Sequence, residues 1–260
     1  MASPALVRSK AALSAYEKAV IGVRAPIARW KLDDPLGASF VKDSQPLGLN
    51  GTPASVTFGA APIAANLPGT AATFNGTSST ISIPGSNFSF ERTSKFAYGF
   101  WVRPNATRSG TPTYAVISKY VDDSNPGYEF RLSYNNGFAP SITAVATTLS
   151  NLSASNRVQG YGMTTDLANA TGYHVMITYD GTSVGSGLET GNCMRVFVNG
   201  QPQQVKITQD NLTATLLNAS NLNIGSRAGS SLFGKFDLQD LCVYDYCPDN
   251  ASELYATGIG

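Results

Sequence analysis

The sequence predicts an all-β protein, a sandwich of two antiparallel sheets carrying an N-terminal α-helical arm. Three observations predict it. Charged residues are only 13% of the 260 residues, well below the usual quarter; Ser, Thr, Asn and Gly take their place, as suits strands joined by polar turns. From residue 26 onward, short apolar runs alternate with clusters of Gly, Asn, Pro and Asp. About a dozen such runs follow one another without an intervening helical pattern, which points to antiparallel pairing rather than to βαβ units.

The arm comes first, over residues 1–25, and the sandwich occupies 26–260. Ser3 can cap a helix and Pro4 suits its first position. Ala5 to Ile21 is rich in good helix formers, with Leu6, Leu13, Tyr16 and Val20 on one stripe. Gly22 supplies a stop, and Pro26 lies beyond it. So narrow a stripe does not stabilise a helix alone, so the arm must pack on its own domain, a sister subunit or a larger assembly. Arg8, Lys10, Lys18, Arg24, Arg29 and Lys31 against Glu17 make the first 31 residues basic. That charge fits either a solvated helix face or a surface that docks on an acidic partner.

The strands are expected at Ile27–Leu32, Ala71–Phe74, Thr80–Ile83, Phe96–Arg103, Ala115–Tyr120, Tyr128–Tyr134, Ser141–Ala146, Tyr173–Tyr179, Met194–Val198, Gln203–Ile207, Asn221–Ile224 and Phe236–Tyr244. Asn199-Gly200 makes a tight hairpin turn leading into Gln203–Ile207. Residues 147–172 lack clear periodicity and read as a long ordered loop or an insertion, where binding usually sits. In Tyr173–Tyr179, alternation places His174, Met176 and Thr178 on one face and Val175, Ile177 and Tyr179 on the other. His174, the sole histidine, reads as a structural residue at the sandwich rim.

Composition excludes several functions. A net charge of +1 gives no case for nucleic acid or membrane binding. Cys193, Cys242 and Cys247 are odd in number and lack metal-ligand spacing, and one histidine argues against a zinc site. The N-terminus does not read as a signal peptide and no apolar run reaches membrane-spanning length. Synthesis in a cytoplasm, without a secretion signal, is expected.

Nine segments then line up in order. They begin with Ala28-Arg29-Trp30-Lys31-Leu32-Asp33-Asp34, Val41-Lys42-Asp43-Ser44 with Leu49-Asn50-Gly51, and Ala72-Thr73-Phe74-Asn75-Gly76 before Ile81-Ser82-Ile83-Pro84. Phe96-Ala97-Tyr98-Gly99-Phe100-Trp101-Val102-Arg103-Pro104 follows, then, as one segment, Ile117-Ser118-Lys119-Tyr120 leading to Gly127-Tyr128-Glu129-Phe130-Arg131-Leu132. Tyr173–Thr182, Val196-Phe197-Val198-Asn199-Gly200, Leu222-Asn223-Ile224-Gly225 and Leu238-Gln239-Asp240-Leu241-Cys242-Val243-Tyr244 complete the series. Over residues 27–256 this succession resembles the laminin-G-like domains of the concanavalin A-like lectin/glucanase superfamily. The resemblance implies a two-sheet jelly roll. Tyr173 stands where the family usually has Trp, and the Gly that usually precedes the last strand is displaced or replaced near Phe236.

The superfamily includes glycan binders, protein binders, hydrolases and assembly proteins, so the fold does not choose a function. The Glu-x-Asp-x-Glu strand of related glucanases, which would set an acid and a nucleophile about the sugar bond, is absent; Asp237-Leu238-Gln239-Asp240 has the wrong spacing. No catalytic residue is assigned. A structural calcium, as many family members bind, would use Asp33 and Asp240, although hydrogen-bonded turn aspartates explain both, and no metal is assigned. Tyr120, Asp122, Asp123, Asn125 and Tyr128 cluster as candidates for ligand binding, with aromatic planes and polar groups suited to a sugar; the same residues are ordinary turn chemistry.

The sequence therefore leads to a non-enzymatic protein resembling accessory components of bacteriophage particles, tail or capsid-decorating. In this expectation Arg8, Lys10, Leu13, Tyr16, Lys18 and Val20 anchor the arm to other virion proteins, in a homo-oligomer, and the sandwich faces outward toward host surface polysaccharide. The alternatives are a stand-alone carbohydrate-binding module and, further off, a glycoside hydrolase.

Overall fold

A computed structural model describes residues 13–22, 24–105, 113–122, 125–134, 141–150, 156–182 and 193–259. The chain opens with helix α1 (Ala15–Ile21) and closes with helix α2 (Ala251–Ile259). Between them run β1 (Ala28–Trp30), β2 (Thr52–Ala54), β3 (Thr57–Ala60), β4 (Ala71–Asn75), β5 (Thr80–Ile83), β6 (Phe96–Pro104), β7 (Thr113–Lys119) and β8 (Gly127–Tyr134). They continue as β9 (Ser141–Ser150), β10 (Arg157–Ala168), β11 (Tyr173–Tyr179), β12 (Met194–Val198), β13 (Gln201–Pro202), β14 (Gln204–Asp210), β15 (Leu222–Ile224) and β16 (Lys235–Tyr244).

Two antiparallel sheets of eight strands form a jelly-roll sandwich. The first has the order β13-β12-β11-β6-β16-β4-β3, with β1 also paired to β16, and the second β14-β10-β9-β8-β7-β15-β5-β2. Alternation builds the core between them. Phe96, Tyr98 and Phe100 of β6, Val175, Ile177 and Tyr179 of β11, and Tyr128, Phe130 and Leu132 of β8 all point inward and are buried. Phe96 stacks on Phe90 with ring centres 4.6 Å apart. Rings and branched side chains such as these, withdrawn from water, supply the dominant stabilisation.

The opposite face of the first sheet carries a second apolar layer. Ala97, Trp101, Met176, Cys242 and Tyr244 point outward there and are covered by Tyr16, Ala19 and Val20 of α1 and by Ala251 and Leu254 of α2. The indole Nε1 of Trp101 donates to the Tyr16 hydroxyl at 2.9 Å, and Asn250 Nδ2 donates to Ala19 O at 2.8 Å. Helix α1 is capped by Ser14, so the helix expected from Ala5 to Ile21 is not continuous through Leu13 and Ser14; Ser3 and Pro4 lie outside the described residues. Ser14 Oγ accepts from Glu17 N while Glu17 Oε2 accepts from Ser14 N, a complete capping box. No described helix is long and apolar enough to cross a membrane.

The long loop or insertion expected over 147–172 is replaced by strand at 147–150 and 157–168, with a turn at 169–172; residues 151–155 lie outside the described residues. The two stretches of strand complete β9 and form β10, the longest strand, paired on both sides. The Asn199-Gly200 turn forms as expected, with both residues at positive φ, 51° and 74°, joining Val198 to Gln201. Its return strand is β13; the chain then crosses at Gln203 into β14 of the other sheet. The three cysteines are free thiols.

Candidate functional site

Both described helices lie on the first sheet, so the outer face of the second is where the sandwich can present chemistry. Register partners there define one transverse row. Thr52 pairs with Ser82, Ser82 with Asn223, Asn223 with Ser118 and Ser118 with Glu129. Glu129 pairs with Thr148, Thr148 with Gln159 and Gln159 with Gln209. Directly opposite residues share a face, so eight polar residues, one from every strand, form a band spanning about 33 Å at ordinary strand spacing. The apolar alternates of the same strands, such as Ile81, Leu222, Ile224, Phe130, Leu149 and Val158, fill the core behind it.

The centre of the band is a fixed ionic cluster. Glu129 is fully buried, and the Arg227 guanidinium binds it in a fork, Nε to Oε2 at 2.7 Å and Nη2 to Oε1 at 2.8 Å. Arg131 Nε lies 3.1 Å from Oε1, its Nη2 donates to Thr148 Oγ1 at 2.8 Å, and Ser118 Oγ donates to Oε2 at 3.2 Å. Two guanidinium groups and a hydroxyl take the place of water around this buried carboxylate. Arg227 also lies over the Tyr120 ring, 5.0 Å from its centre.

Beside the cluster a groove of about 340 Å³ is lined by Thr80, Ser82, Tyr120, Asn221, Asn223 and Gly229. Its wall is held from behind. Lys119 Nζ donates to Asn218 O, Asn218 Oδ1 and Ser220 O at 2.8, 2.9 and 3.0 Å. Asn221 Nδ2 donates to Ser82 Oγ at 3.0 Å. Hydroxyls and amides converging on a shallow groove are the donors and acceptors that sugar hydroxyls pair with.

The expected ligand residues separate. Tyr120 lines this groove. Tyr128 does not: its ring is 1% exposed, packed on Phe96 and Phe90, with its hydroxyl 2.6 Å from that of Tyr98 and donating to Phe88 O at 2.9 Å. The inward register of β8 takes it away from any sugar. Asn125 Nδ2 donates to Asp122 Oδ1 at 2.9 Å, and Asn125 N to Asp122 O at 3.2 Å, so these two close their own turn. Asp123 lies outside the described residues.

The expected anchoring residues divide likewise. Tyr16 and Val20 are each 2% exposed and are used on the chain's own sheet, so they are not available to another protein. Leu13 and Lys18 are exposed, and Arg8 and Lys10 lie outside the described residues. The two aspartates named for calcium sit in different settings. Asp240 is buried and grips Arg29 through both oxygens, from Nε at 2.6 Å and Nη2 at 2.9 Å, while Asp33 is exposed. Among the described residues no group of three or more His, Cys, Asp or Glu could hold a metal.

His174 faces outward as alternation requires, but under the helices rather than at the rim. It is 2% exposed, 5.2 Å from Trp101 by ring centres, with Nδ1 unpartnered. The residues of the row and its ionic cluster that the sequence reading did not single out are Glu129, Arg131, Arg227 and Gln159. Glu129 and Arg131 had a signal, two opposite charges alternating with Tyr128, Phe130 and Leu132. Arg227 had none, since it reaches the sheet from a turn.

A family model described as "Concanavalin A-like lectin/glucanases superfamily", Laminin_G_3, matches residues 75–252. The chain belongs to this family. A search among curated proteins finds no match. Among solved structures, the laminin-G-like fold seen here is similar to the binding domain of Paraclostridial Mosquitocidal Protein 1. The TM-score is 0.59 at 14% identity, covering 89% of this chain and 51% of that one. The botulinum neurotoxin serotype D ligand binding domain, solved in complex with N-acetylneuraminic acid, gives 0.55 at 13%, over 89% and 50%. Trypanosoma rangeli sialidase in complex with the inhibitor DANA gives 0.54 at 15%, over 92% and 33%. The laminin-G-like chain thus spans about half the length of the toxin domains and a third of the sialidase, and at these identities the likeness is one of fold.

Proposed function

We propose that this laminin-G-like protein is a non-enzymatic, lectin-like module that holds a glycan chain across the outer face of its second sheet. The observation that carries the reading is the polar row from Thr52 to Gln209, whose Ser82 and Asn223 line the groove at Tyr120; Ser118, Glu129, Thr148 and Asn223 are buried, so Thr52, Ser82, Gln159 and Gln209 are the members a ligand reaches first. A band of hydroxyls and amides one residue wide suits an extended polar polymer better than a compact apolar ligand. The fold is shared with a toxin domain solved with a sialic acid, which supports a glycan as the ligand class. Hydrolysis would need a pair of carboxyl groups flanking a bond. On this row Glu129 is the one carboxylate, and it is held by two guanidinium groups.

Glycan-array binding tests the reading, with the double variant Asn223→Ala, Gln159→Ala as control. Retention of a polysaccharide by the native chain, weakened about tenfold in the double variant by loss of two side-chain hydrogen-bonding groups, is expected, with no release of reducing ends. An array with no bound glycan would overturn it. Display on a phage particle is the setting we infer for the module. Leu13 and Lys18, exposed on and just before α1, support a contact there, continued through Arg8 and Lys10.

A further inference from the structure

The row next to the polar band carries a different chemistry. Ala115 pairs with Arg131 and Arg131 with Ala146; Ala146 pairs with Tyr161 and Tyr161 with Lys206. Arg131 and Lys206 are therefore three strands apart, about 14 Å at ordinary strand spacing, with Tyr161 between them on the same face. Arg131 is ion-paired with Glu129 through a 3.1 Å Nε–Oε1 approach without a hydrogen bond, and donates from Nη2 to Thr148; its Nη1 has no protein acceptor among the described residues. Lys206 is exposed and makes no ion pair among the described residues, and Tyr161 is half-buried. Along these five strands the outward-facing charges whose side chains are described are cationic at Arg131, Arg157 and Lys206 and anionic at Glu129, which Arg227 already binds; the side chain of Asp166 in β10 lies outside the described residues. Asp122, on the turn after β7, is the nearby exposed acid in the described sequence, and it closes onto Asn125.

From this row we infer that the glycan bound on the sheet face is an acidic polysaccharide, one carboxylate seated on Arg131, another on Lys206, with Tyr161 as the stacking surface between. The inference rests on the lectin-like reading and narrows its ligand class. The chemistry is direct. A guanidinium with a free N–H edge, itself fixed by Glu129 and Thr148, is pre-organised for a carboxylate. A second cation at a fixed spacing rewards a polymer that repeats its charge and offers less to a single acidic sugar. Net charge over the whole chain is only +1, so a localised row, rather than a generally basic surface, makes the selection.

The test is titration calorimetry of the full chain with polygalacturonate, with neutral dextran and with dextran sulfate, in buffer at physiological salt containing EDTA. Tight binding of polygalacturonate over dextran is expected. Arg131→Gln should weaken it about tenfold, as loss of a charge-assisted hydrogen bond does, and Lys206→Gln about threefold, as suits an exposed pair. Lys206→Gln changes an exposed side chain, so its thermal unfolding should match the native chain, and its effect stands even where Arg131→Gln disturbs the Glu129 cluster. Equal binding of dextran and polygalacturonate, or binding of dextran alone, would overturn the acidic ligand and leave the lectin-like reading standing. Binding of both polyanions that neither substitution changes would also overturn it, as non-specific attraction. Silence with all three polymers removes this inference, and the array then decides the broader reading.

Discussion

His174 sits where a charge has nothing to answer it. The imidazole is enclosed by Trp101, Gly99, Cys242, Tyr244 and Leu254, and Nδ1 has no partner. Asp240 and Tyr16 face the same layer, but Asp240 is held by Arg29. Burial pushes the His174 pKa from its usual 6.5 down to about 3. The folded state thus holds the ring neutral while the unfolded chain binds a proton below about 6.5. Stability is complete above that pH and is withdrawn as pH falls toward 3, by at most about 1.4 kcal/mol per unit. His174→Leu should remove this part of the slope. The gap between the urea midpoints of the variant and the native chain should then shift in the variant's favour from pH 7 to pH 4; a constant gap would exclude His174 as the source. The face on which His174 lies was legible, because alternation in Tyr173–Tyr179 needs only the sequence. Its burial was not, because the covering groups come from residues 16–20 and 251–254, far off in the chain.

At the scale of elements, the short α2 is the piece that pattern reading passes over. Thr257 and Gly258 are poor helix formers, and at nine residues α2 is too short to stand alone, so it is fixed by what it packs on. Gly258 lies against Trp101, and a Cβ there would come within 2.3 Å of the indole. Tyr255 stacks on the same indole at 6.0 Å. Gly→Ala in a helix ordinarily gains about 0.5–1 kcal/mol; here overpacking should win and destabilise by about 1–3 kcal/mol, read as a lowered denaturation midpoint. A raised midpoint would mean that α2 lifts freely. Strand β10 was missed for a related reason. Gly160 and Gly162 interrupt the apolar alternates Val158 and Leu167, so no period of two shows, and only its partners β9 and β14 make it a strand. By contrast β6, β8, β11 and β16 are visible in sequence because their inward positions are nearly all aromatic or aliphatic.

The molecule as a whole has two unlike outer faces, and this decides what its N-terminus can do. One face is apolar and sealed by α1 and α2; the other is polar and carries the row from Thr52 to Gln209. An arm that served only attachment could be removed without effect on the sandwich. Helix α1 cannot, because Tyr16 and Val20 roof Trp101, and Glu17 Oε1 pairs with Lys31 Nζ at 3.1 Å. Deleting residues 1–22 should therefore uncover the indole and lower stability by about 3 kcal/mol, the burial of two such side chains less the entropy of ordering the helix. A red-shifted Trp fluorescence, together with a lowered unfolding midpoint, checks it. Deleting residues 1–12 alone leaves every described contact in place and should leave the midpoint unchanged. The pair of truncations separates the packing of the arm on the sandwich from the attachment proposed for it: a chain lacking 1–12 that is stable, binds glycan and fails to join a particle would assign attachment to the segment before Leu13. Glycan binding by the 1–22 deletion, measured where it remains folded, should match the native chain, since the polar row lies on the opposite side of the sandwich from the helices.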